Sequence, residues 1–98
     1  MRRDEAIGKL RELRPLLTRH GVKRLRIYGS VARDEASSAS DLDLIVDYKT
    51  TPDLLEFVAL QQDLSDALGV RVDLATANGL RPELRDDILA EAVDAEAA

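Results

Sequence analysis

Apolar residues recur along this chain with two periods, and the elements change where the period changes. From Arg3 to His20, the positions Ile7, Leu10, Leu13, Leu16 and Leu17 form one stripe between arginines and glutamates, the spacing of an amphipathic helix. Pro15 falls inside that stripe and predicts a kink or a split, because it removes a backbone donor and crowds the preceding turn. Gly21 supplies a stop. His20 before it reads as a solvent-facing residue at the helix end, a dipole partner and not a catalyst. The period then drops to two. Lys23 to Ser30 alternates as a first strand, with Leu25 and Ile27 on one face and Arg24, Arg26 and Tyr28 on the other. Basic residues so placed predict an exposed edge strand.

A short helical piece, Val31 to Arg33, follows the strand, and then a polar Ser/Ala-rich stretch, Glu35 to Ser40, of the kind that orders over a ligand. Asp41 to Val46 is a second strand. Thr51-Pro52-Asp53 has the form of a helix start, with cap, proline and first-turn acid. The helix is expected to reach Leu68, with Leu54, Phe57, Leu60, Leu64 and Leu68 inward and Gly69 ending it. Val70 to Ala75 is a third strand, with Arg71, Asp73 and Ala75 on one face. Strand, helix, strand implies a right-handed crossover with the second and third strands parallel and adjacent. Pro82 opens a last helix with Leu84, Ile88 and Ala92 in line, and the tail Asp94 to Ala98 is expected to fray.

At 98 residues the chain has the size of one domain with a modest core. Aromatics at 3% leave little for stacking single-stranded bases. A net charge of −5 (14 basic against 19 acidic residues) argues against direct binding of nucleic acid or an anionic membrane. No cysteine is present, which excludes disulfides and thiolate metal sites and fits a cytoplasmic protein. No run has the length of a membrane span.

The chemistry concentrates between Arg26 and Tyr48. Strand alternation puts Asp41 and Asp43 on one face and Leu42, Leu44 and Val46 on the other. Two carboxylates so placed stand roughly 6–7 Å apart along the strand. They repel each other and cost free energy unless a cation neutralises them. Hard oxygen ligands on a rigid strand suit Mg²⁺, which completes its shell with water and substrate phosphates. Gly29-Ser30, between strand and helical turn, lets backbone approach a ligand and offers a hydroxyl and N–H groups to a phosphate. The crossover brings Asp73 beside the pair. That is a phosphoryl-transfer layout. Asp47 shares the parity but reads as a solvated strand end, and Asp86-Asp87 as a solvated helix face.

Taken together, Gly29-Ser30-x-Ala32-Arg33, Ser40-Asp41-x-Asp43-Leu44 and Val72-Asp73-Leu74 resemble the signature of the minimal nucleotidyltransferases, the smallest members of the DNA polymerase β-like superfamily. The resemblance covers nearly the whole chain. It implies an α/β (α+β) nucleotidyltransferase fold over residues 1–98: a small mixed sheet of three strands, or four, flanked by helices in the order α-β-(short α)-β-α-β-α. It further implies that Asp41, Asp43 and Asp73 bind Mg²⁺ and that Gly29 and Ser30 hold the triphosphate of ATP. Arg33 belongs to the signature, as a phosphate contact or a structural salt bridge. Asp34 departs from the pattern, standing where relatives commonly have glycine. Pointing inward it would weaken nucleotide binding, and pointing away it would not.

Many stand-alone proteins of this size resemble antitoxins that move AMP from ATP onto a tyrosine of a HEPN-type ribonuclease toxin. The expected chemistry is a two-metal transfer. One Mg²⁺ on Asp41 and Asp43 would grip the triphosphate, and a second, shared with Asp73, would activate the hydroxyl. The short length favours a protein acceptor over a small molecule. Two other readings stand beside this one. A binding module would neutralise a toxin by covering it, docking an acidic surface on a basic face. A nucleotide-sensing domain would bind ATP without turnover.

Overall fold

The structure, a computed structural model, describes residues 1–37 and 41–97. Ser38 to Ser40, half of the loop expected to order over a ligand, and Ala98 lie outside the described residues. Helix α1 spans Arg3–Glu12 and α2 spans Arg14–Arg19. The break falls at Leu13, which ends one helix and caps the next, so Pro15 sits in the first turn of α2. A missing N–H costs nothing there. Strand β1 (Val22–Tyr28) leads into the one-turn helix α3 (Gly29–Ala32). Strand β2 (Leu42–Tyr48), helix α4 (Leu54–Leu68) and strand β3 (Val72–Ala75) form the crossover. A 3-10 turn at Ala77–Gly79, helix α5 (Pro82–Glu91) and strand β4 (Val93–Ala97) complete the chain.

The four strands lie in the order β3-β2-β1-β4. β2 and β3 run parallel, with Asp43 opposite Asp73, while β1 is antiparallel to both β2 and β4. Two expectations change here. Through Ala97 the tail pairs with β1 instead of fraying, although Val93-Asp94-Ala95-Glu96-Ala97 is poor in strand formers; partner and packing outweigh propensity. With β4 in place, β1 is central and not an edge. Arg24 and Arg26 are instead ion-paired on its face, to Asp94 at 2.8 Å and to Asp47 at 3.3 Å. Asp47 is therefore a partner and not merely a solvated strand end.

One sheet face carries the core. Leu25 and Ile27 of β1, Leu42, Leu44 and Val46 of β2, and Val72 and Leu74 of β3 meet Ala6, Leu10 and Leu17 from the first two helices. Leu60, Leu64 and Leu68 of α4 close the layer. α4 starts later than the sequence pattern implied. Asp53 is its N-cap, accepting from the Glu56 N–H at 2.7 Å while Glu56 accepts from the Asp53 N–H at 3.2 Å. This reciprocal box leaves Thr51 and Pro52 outside the helix. Leu54, expected inward, is 75% exposed in that first turn, whereas Gly69 ends the helix at φ 69° as anticipated. α5 buries no residue fully, and Leu84, also expected inward, is 45% exposed. His20 does not face solvent freely, since its Nε2 lies 2.8 Å from Asp63 of α4.

β3 is the edge beside the acids. Its outward amides are covered by α4: Val72 N–H donates to Ser65 Oγ at 3.1 Å and Leu74 N–H to Gln61 Oε1 at 3.2 Å. A covered edge cannot recruit another strand. It also fixes the backbone on both sides of Asp73.

Candidate active site

The sheet face away from the main core carries a row of three side chains, one per strand. Tyr28 on β1 is opposite Asp43 on β2, which is opposite Asp73 on β3. Side chains directly across neighbouring strands stand about 4.5–5.5 Å apart at Cβ. Asp41, just before β2, has the same parity. Asp43 is half-buried, and its carboxyl titrates above the usual range: burial pushes it up, and the charges of Asp73 and Asp41 add to that, against a smaller pull from Arg33. The Tyr28 phenol is likewise raised, by burial first and then by Asp43 and Asp73. A carboxylate cluster is thus held where its own repulsion is felt.

Gly29 joins this row to the turn. Its φ is 73°, a left-handed conformation that favours glycine. A Cβ there would collide with the Asp43 carboxylate. The tight turn and the acid row are therefore one site, with Ser30 partly exposed at its border.

Three positions around the turn are engaged by other groups. The Gly29 N–H is already engaged, donating to Glu91 Oε1 at 3.1 Å. Arg33 faces two carboxylates, with Nε 3.0 Å from Glu35 Oε2 and Nη1 3.0 Å from Glu91 Oε2. Those bonds, Glu35 first, push its already high pKa up further. Asp34 points away from the acid row. It sits at φ 58°, which explains why glycine would suit the position, and its Oδ1 accepts from the Arg3 N–H at 2.8 Å. It serves the start of α1.

The donor set suits a hard divalent cation: three carboxylates, no sulfur, and a desolvated member whose charge a cation would relieve. Among the described residues, no three such groups converge on one point as they stand. Asp41 leans toward Arg71, 3.8 Å away. A cleft of about 410 Å³ opens at the far end of β2 between Val46–Tyr48 and Thr76–Asn78, and none of the acids in the row lines it.

A sequence model of the nucleotidyltransferase domain family matches residues 4–95. The chain belongs to that family. Protein adenylyltransferase MntA of Thermococcus cleftensis is 36% identical over 96 residues, covering 90% of this chain and 97% of that one. A solved structure described as that of an inferred minimal nucleotidyltransferase superposes with a TM-score of 0.80 at 41% identity, covering 95% of each chain. The MNT antitoxin bound to a tri-AMPylated HEPN toxin of Shewanella oneidensis shares the fold, at a TM-score of 0.61 and 21% identity over 98% of this chain and 70% of that one. The four-stranded mixed sheet of this nucleotidyltransferase agrees with that fold. Among its described residues, no helix is long and apolar enough to cross a membrane.

The sequence reading missed Glu91. The one available signal was its position: a carboxylate in the last turn of a helix opposes the helix dipole, and that turn of α5 has no basic residue.

Proposed function

We propose that this protein transfers AMP from ATP to a tyrosine hydroxyl of a partner HEPN-type toxin, with Mg²⁺ held by Asp41, Asp43 and Asp73. The observation that carries this reading is the close approach of the Asp43 carboxylate to Gly29, where a Cβ would collide with it, so that the turn and the acid row adjoin. The names of the relatives supply the nucleotide and the acceptor class. Cytoplasmic ATP and the lack of cysteine fit a cytoplasmic protein.

Bound Mg²⁺ would neutralise the triphosphate and lower the pKa of the attacking hydroxyl. The chain's own groups do the rest. Asp41 and Asp43 supply oxygen ligands from a strand that β1 and β3 hold rigid on either side. Ser30 orients the terminal phosphates, where misplacement by about 1 Å costs roughly a hundredfold in rate. Asp73, exposed at the sheet edge, is positioned to receive the hydroxyl proton. The tyrosine oxygen bonds to the α-phosphorus, the bond to the bridging oxygen breaks, and pyrophosphate leaves.

Intact mass spectrometry of the co-purified toxin, incubated with this protein, Mg²⁺ and each nucleoside triphosphate, tests the reading. Added AMP units with ATP, absent for Asp41→Asn, are expected. A stable complex with no mass change under any nucleotide would overturn it in favour of the binding module.

A further inference from the structure

The register of the sheet delivers one more residue to the site. β1 and β4 pair antiparallel with Arg26 opposite Asp94 and Ile27 opposite Val93. Continuing that register by two positions sets Glu91 across from Gly29. The carboxylate makes the contact that this placement allows. Oε1 accepts from the Gly29 N–H at 3.1 Å and from Arg33 Nη1 at 3.2 Å, and Oε2 accepts from Arg33 Nη1 at 3.0 Å.

Those two partners are the two ends of α3. Gly29 begins the turn and Arg33 caps it. A four-residue helix has no stability of its own, because nucleation is costly and one turn cannot repay it. Its geometry must come from outside. Asp34 ties the far side to the start of α1, and the Arg3 Nη1 reaches the Ala32 carbonyl at 3.4 Å. Among the hydrogen bonds of the described residues, Glu91 alone grips the turn at both of its ends. The carboxylate also stands at the C-terminus of α5, where the helix dipole opposes a negative charge.

We infer that Glu91 is a positioning residue for nucleotide transfer: by bridging the Gly29 amide and the Arg33 guanidinium it fixes the turn that sets Gly29 against Asp43 and presents Ser30. The inference rests on the proposed transfer reaction. It assigns Glu91 no contact with the substrate. Its part is to keep the Gly29 amide and the Ser30 hydroxyl at a constant distance from the acid row, so that a triphosphate meets a preformed cradle.

The test compares wild type, Glu91→Gln, Glu91→Ala and the charge swap Arg33→Glu/Glu91→Arg in the toxin mass assay over a range of ATP concentrations, with melting curves alongside. Glu91→Ala is expected to raise the KM for ATP about tenfold or more. Glu91→Gln, which keeps an acceptor for the Gly29 N–H in the same shape, should fall between it and wild type. The swap should restore melting temperature without restoring KM, since an arginine cannot accept from Gly29. A salt bridge that is merely structural would let the swap recover both, and that result overturns the inference. So does a KM within twofold of wild type in Glu91→Ala. So does a lowered KM, which would make Glu91 a competitor of phosphate. If Glu91→Ala fails to fold, Glu91→Gln and the swap carry the same decision. A wild type that transfers no AMP would sink the transfer reading alone. The same comparison is then read on the Kd for ATP with Mg²⁺ by calorimetry, with the same thresholds.

Discussion

Asp43 has burial on one side and like charges on both, and only Arg33 pulls the other way. Its folded pKa is raised, so the folded state favours the protonated form. The stabilising share of that preference is full below the ordinary carboxylate range and is lost as pH rises through the raised value. Ionising Asp43 therefore costs the native protein more than it costs the unfolded chain. Asp43→Asn should be more stable than wild type at pH 7–8 in EDTA, seen as a higher melting temperature. The gain should vanish near pH 3, and transfer of AMP should be lost at every pH. Melting curves against pH decide it: a variant less stable than wild type at pH 7 would show that Asp43 is structurally satisfied and not held for chemistry.

Elements divide by whether their cause is local. The α1/α2 break at Pro15, the stop at Gly69 and the parallel pair β2/β3 follow from residues that act within a few positions, and the sequence showed them. The acid row was legible for the same reason: alternation gives Asp41 and Asp43 one face, and the crossover gives them Asp73. What escaped was decided at a distance. Leu54 reads as core by spacing, yet the cap at Asp53 starts α4 so that this turn projects outward. Arg24 and Arg26 read as edge residues because the strand that covers them is composed of small and acidic residues. Whether Asp34 points inward or away could not be read locally, because its partner, the Arg3 N–H, is 31 positions away. That last contact can be tested. Asp34→Ala loses the hydrogen bond to α1 and keeps a left-handed backbone, so it should cost about 1–2 kcal/mol in urea unfolding. Asp34→Gly loses the bond but relaxes the backbone, and should come close to wild type. Both should keep the KM for ATP within about twofold, because the side chain faces α1 and not the acid row. A KM that falls sharply in either would show that Asp34 does repel nucleotide.

The whole molecule is closed by its two ends. α1 lies against β4, Ala95 of β4 is 2% exposed, and β4 in turn makes β1 central and carries Glu91 to Gly29. The last strand thus bears on both stability and site geometry, which separates it from a dispensable tail. Neighbouring positions give a sharp contrast. Asp94 is exposed and bonds Arg24 at the surface, so Asp94→Ala should cost under about 1 kcal/mol. Ala95→Asp would place a carboxylate in the core without a partner, and should cost about 3 kcal/mol or more. If β4 also holds the site, the damage should not stop at stability. At temperatures where Ala95→Asp remains mostly folded, its ATP affinity should fall as it does in Glu91→Ala, while Asp94→Ala binds as wild type. Equal affinity in all three, measured by calorimetry on the folded fraction, would mean that the turn at Gly29 keeps its shape without the last strand, and that β4 serves the core alone.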